Sequence, residues 1–180
     1  MDIQGKTILV LGGWGLVGSA ICRKFMEEKP RRIIVASLSE EEAHEAVETL
    51  RREYPHMGRN FFVPWWGNMF VREQLKDISR EEILASRRYR AMFIDDIVED
   101  LTDEVLHRSS LYRLMGRYRP DIVVDSVNSA TAIAYQDIFQ VSRDLVRQVR
   151  AARNGSRSSA AKIPDAAERL LCTLYVPQLI

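Results

Sequence analysis

Thr7-Ile-Leu-Val-Leu-Gly-Gly-Trp-Gly-Leu-Val-Gly18 passes without a break from an apolar run into a glycine loop. Thr7–Leu11 has the β-branched and leucine pattern of a strand buried on both faces. From Ser19 the spacing of Ala20, Ile21, Phe25 and Met26 is that of a helix face, and Pro30 stops it. The loop Gly12–Gly18 therefore joins a strand to a helix. It satisfies Gly-x-Gly-x-x-Gly from Gly13 and Gly-x-x-Gly-x-x-Gly from Gly12. In that setting one glycine makes the tight turn. A second lets the backbone approach a pyrophosphate, and the last lets helix and strand pack closely. The N–H groups that open the helix then meet the phosphate charge. The candidate binding residues here are Gly12, Gly13, Trp14, Gly15, Leu16, Val17 and Gly18. No Gly-Lys-Ser/Thr follows, so a triphosphate P-loop is excluded. A tight turn with no ligand is the competing reading, but four glycines in seven residues are a costly way to build one.

Working outward, Arg32–Ser37 reads as a second strand, and Ser39 caps a helix opened by Glu40, Glu41 and Glu42 and carrying Ala43, Val47 and Leu50 inward. Asn60–Pro64 reads as a third strand and Val71–Ile78 as a short helix. Residues 79–101 read as an insertion. In it Arg80–Arg90 is helical, and Ala91–Ile94 is apolar enough for an extra strand. Asp95–Glu104 holds six acids and no base, without the glycine or spacing of a calcium loop, and reads as a solvated segment. Thr102 caps a helix that ends at Arg117 and Arg119. Pro120–Asp125 is expected as a fourth buried strand, and Thr131–Arg150 as an amphipathic helix with Ile138, Val141, Leu145 and Val149 on one stripe. Arg143, Arg147 and Arg150 form a solvated stripe. Ala151–Ile163 is small and polar, hence a loop, and Asp165–Tyr175 returns to helical spacing. Strands alternating with helices predict an α/β chain: a Rossmann-like, doubly wound parallel sheet with helices on both faces.

Composition narrows the function classes. The chain has 180 residues, 46% hydrophobic and 28% charged, with a net charge of +1. That is ordinary globular composition, and nothing global points to nucleic acid or to an acidic membrane surface. The 21 arginines against 5 lysines fit a biased base composition as well as any ligand. Cys22 and Cys172 form no Cys-x-x-Cys, and His44, His56 and His107 have no ligand spacing, so no metal site is expected. Thr7–Cys22 is nearly uncharged but rich in glycine and too short to span a bilayer comfortably. A cytoplasmic protein is expected.

Ile8–Gly18 resembles the start of the extended short-chain dehydrogenase/reductases, the NAD-dependent epimerase/dehydratase group. Trp66-Gly67-Asn68-Met69 resembles that family's Gly-Asp-hydrophobic turn, whose acid faces the adenine. Pro120–Asn128 resembles its fourth strand and the turn beside the nicotinamide ribose. The resemblance covers about residues 5–150. It implies an NAD(P)-binding Rossmann domain over 1–150, with 151–180 as a loop and helix of a continuation lying beyond this chain. It further implies an oxidoreductase or epimerase/dehydratase acting on a small molecule, with Ser37, Asn68, Met69, Ser126, Val127 and Asn128 joining the glycine loop at the cofactor. A homo-oligomer is compatible with it.

Two departures bear on chemistry. The family's catalytic Tyr-x-x-x-Lys is missing: Tyr54, Tyr89, Tyr112, Tyr118, Tyr135 and Tyr175 are followed four residues on by Gly, Phe, Gly, Ile, Phe and Leu. Asn68 also stands where the family has Asp. The chain as given is therefore expected to bind a cofactor without turning it over, and a binding module that catalyses nothing is the alternative reading. The tip of the second strand, Ala36-Ser37-Leu38-Ser39, has neither the acid that binds ribose hydroxyls nor the arginine that holds a 2′-phosphate. Glu40–Glu42 close by would repel a phosphate, which leans NAD or NADP towards NAD.

Overall fold

A computed structural model describes residues 2–98, 100–127 and 136–174. Four strands, β1 (Thr7–Leu11), β2 (Arg32–Ser37), β3 (Phe62–Trp66) and β4 (Ile122–Asp125), form one sheet in the order β3-β2-β1-β4. All three pairings are parallel, with Ile8 opposite Ile33 and Ile122, and Ile33 opposite Phe62. The α/β parallel sheet expected from the alternation is the one observed.

Period two decides the layers. Ile8, Val10, Ile33, Val35 and Phe62 face one side, where they pack with Cys22 of α1 (Leu16–Met26) and Ala46, Val47 and Leu50 of α2 (Glu40–Glu53). Leu9, Leu11, Ile34, Ala36 and Trp65 face the other side, against Met69 and Leu114. Burial pushes the Cys22 thiol up to about 12. Lys29 and Arg119 both take a positive φ, at 52° and 44°, just after a helix and just before a proline. Each turns the chain into the next strand. Thr7 and Asp121 then exchange two bonds: the Asp121 N–H donates to the Thr7 carbonyl at 2.8 Å, and the Thr7 N–H to the Asp121 carboxylate at 2.7 Å. That second bond holds the Asp121 carboxyl below its ordinary range.

The described residues divide into two compact units. The sheet unit takes the chain up to Met69 together with Ser110–Val127. The helical unit takes Phe70–Ser109 and the described residues after Val127. In it lie α3 (Arg80–Ala85), α4 (Arg87–Val98), α5 (Asp103–Arg108), α7 (Gln136–Arg153) and α8 (Arg157–Leu174), while α6 (Ser110–Tyr118) belongs to the sheet unit. Val71, Leu75, Ile83, Phe93 and Cys172 make the helical unit's core.

Several expectations are corrected. β3 begins two residues later than expected, because Asn60 and Phe61 complete a turn in which the Phe61 N–H donates to Gly58. Pro64 is tolerated within β3 because this is an edge strand. β4 is half-buried rather than buried, with Val123 43% exposed: among the described strands it pairs only with β1. Val71–Ile78 yields only a 3-10 turn, Glu73–Leu75. Ala91–Ile94 is not a strand but part of α4, where Phe93 is buried. The helix expected from Thr102 to Arg119 breaks at Ser109, whose backbone is extended. Nor is the acidic segment wholly solvated: Asp96 takes both nitrogens of Arg72, at 2.6 and 2.7 Å, in a largely buried pair.

Ala151–Ile163 is not a loop. α7 runs to Arg153, Gly155 turns the chain at φ 92°, and the Ser156 hydroxyl accepts the Ser159 N–H to open α8. The small residues beyond it are helix formers, and Pro164 is carried inside the helix. Arg143, Arg147 and Arg150 are exposed as expected. No helix among the described residues is long and apolar enough to cross a membrane.

Candidate functional site

Parallel strands that all end at one edge bring their following loops together, and that edge is where ligands of such sheets sit. In the sheet unit those loops are Gly12–Gly15 after β1, Ser37–Ser39 after β2, Gly67–Met69 after β3 and Ser126–Val127 after β4. The glycine loop is fixed by its backbone. The Gly13 N–H donates to the Ala36 carbonyl at 2.8 Å, and the Gly15 N–H to the Gly12 carbonyl at 3.1 Å.

The glycines of the loop have different reasons. Gly12 has φ 76°, a backbone that favours glycine. A Cβ on Gly18 would stand 2.1 Å from the Gly12 carbonyl oxygen, and one on Gly13 2.4 Å from a methyl of Val35. Those three serve the fold. Gly15 differs: it has an ordinary extended backbone, and its Cβ would meet only the Gly12 oxygen, at 3.3 Å. Gly15 is the N-cap of α1, and neither a side-chain cap nor an acid in the first turn occupies that end. Leu16 and Val17 stand exposed beside it. An uncapped, acid-free helix start at a glycine fits an anionic group such as a pyrophosphate.

The other predicted site residues hold this edge together. Ser37 is buried, and its hydroxyl accepts the Trp14 N–H at 3.2 Å. The Gly67 N–H reaches the carbonyls of Ser37 and Leu38, docking the turn after β3 on the tip of β2. Asn68 is buried in that turn, and Met69 packs in the core with Leu9 and Trp65. The Ser126 hydroxyl donates to the Leu11 carbonyl at 2.6 Å, and the Val127 N–H to the Asp125 carboxylate at 2.9 Å. Asn128, Ser129 and Tyr135 lie outside the described residues.

One site residue escaped sequence reasoning. The Trp14 indole N–H donates to Glu45 Oε2 at 3.0 Å, so a carboxylate of α2 stands beside the glycine loop. The only signal in the sequence was the tryptophan itself, a donor placed where a loop residue needs a partner.

No curated protein matches the sequence. The X-ray structure of Pen from Bacillus thuringiensis is similar over 47% of this chain and 22% of its own, at 24% identity and a TM-score of 0.32, so the chain spans under a quarter of that structure's length. Residues 8–85, from β1 to the end of α3, match the model of a family described as polysaccharide biosynthesis protein, which is Rossmann-like and NAD(P)-binding in general.

Proposed function

We propose that the sheet unit binds a dinucleotide, NAD or NADP, as the nucleotide-binding portion of an oxidoreductase or epimerase/dehydratase of the short-chain dehydrogenase/reductase kind. The single observation that carries this reading is the start of α1: an uncapped helix N-terminus at Gly15, free of acids, at the strand-end edge of a parallel sheet. The family match over residues 8–85 supports the same ligand class. Gly12–Gly18 would receive the pyrophosphate through backbone N–H groups. Ser37, Asn68 and Met69 would shape the adenosine side, and Ser126, Val127 and Asn128 the nicotinamide side. When bound, the cofactor would supply or accept a hydride. This chain's residues would hold and orient it beside a small-molecule substrate. The protein would act in the cytoplasm, either alone or as a homo-oligomer.

A binding module without catalysis is favoured by one observation: each tyrosine has a residue other than Lys four positions on. Without a nearby cation a phenol of pKa about 10 is a poor proton donor at neutral pH.

Titration calorimetry with NAD and NADP tests the shared part of both readings. One-to-one saturable binding, with a melting temperature that rises with ligand, is expected. No heat and no shift at millimolar dinucleotide would discard it.

A further inference from the structure

In a Rossmann-like sheet the tip of β2 reads the adenosine ribose: an acid there pairs with the ribose hydroxyls, and an arginine there accepts a 2′-phosphate. Here that tip is uncharged. Its one polar side chain nearest the strand, Ser37, is buried and holds the Trp14 N–H. A carboxylate stands beside the glycine loop on another element. Trp14 is held at two points, by its backbone N–H on Ser37 and by its indole N–H on Glu45 Oε2 at 3.0 Å. Glu45 stands on α2, the helix that begins directly after the β2 tip. Its carboxylate is exposed and, among the described residues, Trp14 is the group that bonds it. Oε1 is thus left to accept bonds from a diol.

The base that shares a pocket with this carboxylate is paired elsewhere. Arg23 lines the same pocket of about 130 Å³ as Gly13, Trp14 and Glu45. Its Nε and Nη2 both donate to Glu53, at 2.8 Å each, and that pairing raises the guanidinium pKa. Glu40, Glu41 and Glu42 in the first turn of α2 add negative charge on the same side. A 2′-phosphate brought here would meet carboxylates of its own sign.

Resting on the dinucleotide reading above, we propose that Glu45, oriented by Trp14, is the specificity-determining residue that accepts the adenosine ribose hydroxyls and selects NAD over NADP. The test is the ratio of the two dissociation constants, measured by calorimetry on the whole chain and on Glu45→Gln, Glu45→Arg and Trp14→Phe. Glutamine keeps an acceptor for the indole N–H, so the loop geometry is retained while the charge goes. Wild type is expected to prefer NAD by about tenfold or more. Glu45→Gln should bring the ratio near unity, Glu45→Arg should invert it, and Trp14→Phe should fall between wild type and Gln. A merely structural role would weaken both ligands alike and leave the ratio where it was. An unchanged ratio in Glu45→Gln, with NAD still bound, overturns this inference alone, as does a wild-type preference for NADP. No binding of either dinucleotide by wild type overturns the dinucleotide reading and this inference with it.

Discussion

In the sheet unit, β1 is buried from end to end and its neighbours are Ile, Val, Leu and Phe, whereas the helical unit buries two guanidinium groups among its apolar side chains. Arg72 is 9% exposed and tied to Asp96 and to the Met92 carbonyl. Arg90 is 3% exposed and caps the end of α3 at the Leu84 carbonyl while reaching Asp165 and Glu168 on α8. The first unit is held by burial, which is non-directional. The second depends on a few directed bonds between segments far apart in sequence, where losing one partner strands a buried charge.

Three changes would break or sharpen that contrast. The largest effect is expected at Gly18. Even Gly18→Ala puts a methyl 2.1 Å from the Gly12 oxygen and 2.8 Å from its carbonyl carbon, against backbone that has no easy retreat. A loss of about 3 kcal/mol by urea unfolding is expected. Gly58→Ala, with nothing within 4 Å, serves as the control and should stay within about 0.5 kcal/mol of wild type.

Arg90→Met comes next. It removes the bonds to Asp165 and to the end of α3. Because Asp165 is half exposed, the loss is discounted to about 2 kcal/mol. Hydrogen exchange should show protection falling across α3, α4 and α8, with β1 and β2 unchanged. Equal loss in the strands would mean that the two units do not differ in the way described.

The smallest effect separates the two buried thiols, one in each unit. Burial raises Cys22 to about 12 and Cys172 to about 11. The sign follows from linkage: stability is fully present below an unfolded thiol pKa of about 8.5 and is lost as pH rises towards the folded values. Near pH 10 each thiol should cost about 1–2 kcal/mol relative to its Cys→Ala variant's own pH profile. A thiol reagent on the native chain should reach Cys172 before Cys22. The reverse order would contradict the lesser burial that the smaller rise at Cys172 reflects.

The same contrast governs what the sequence revealed. Thr7–Leu11 and Arg32–Ser37 were legible to the residue because parallel strands buried on both faces write themselves as unbroken apolar runs. The cap at Ser39 and the glycine loop were legible because caps and tight turns demand particular residues. The helical unit was less so. Ala91–Ile94 looks like a strand until Arg90 is known to be buried against Asp165, 75 residues away, and no local pattern carries that pairing. Ser156 reads as loop because a capping serine before small residues has a loop's composition. At the site the glycines were readable and Glu45 was not, since its link to Trp14 depends on where α2 lies against the loop.

On the function proposed above, Gly15 is kept small for a ligand, where Gly18 is kept small for the fold. Titration of NAD into Gly15→Val, beside its thermal melt, tests it most directly. A valine at an extended N-cap should cost only about 1 kcal/mol of stability. A folded variant that has lost NAD affinity by about tenfold or more is expected, as its side chain crowds the uncapped start of α1 where the phosphate would sit. A folded Gly15→Val chain that binds NAD as wild type does would contradict it.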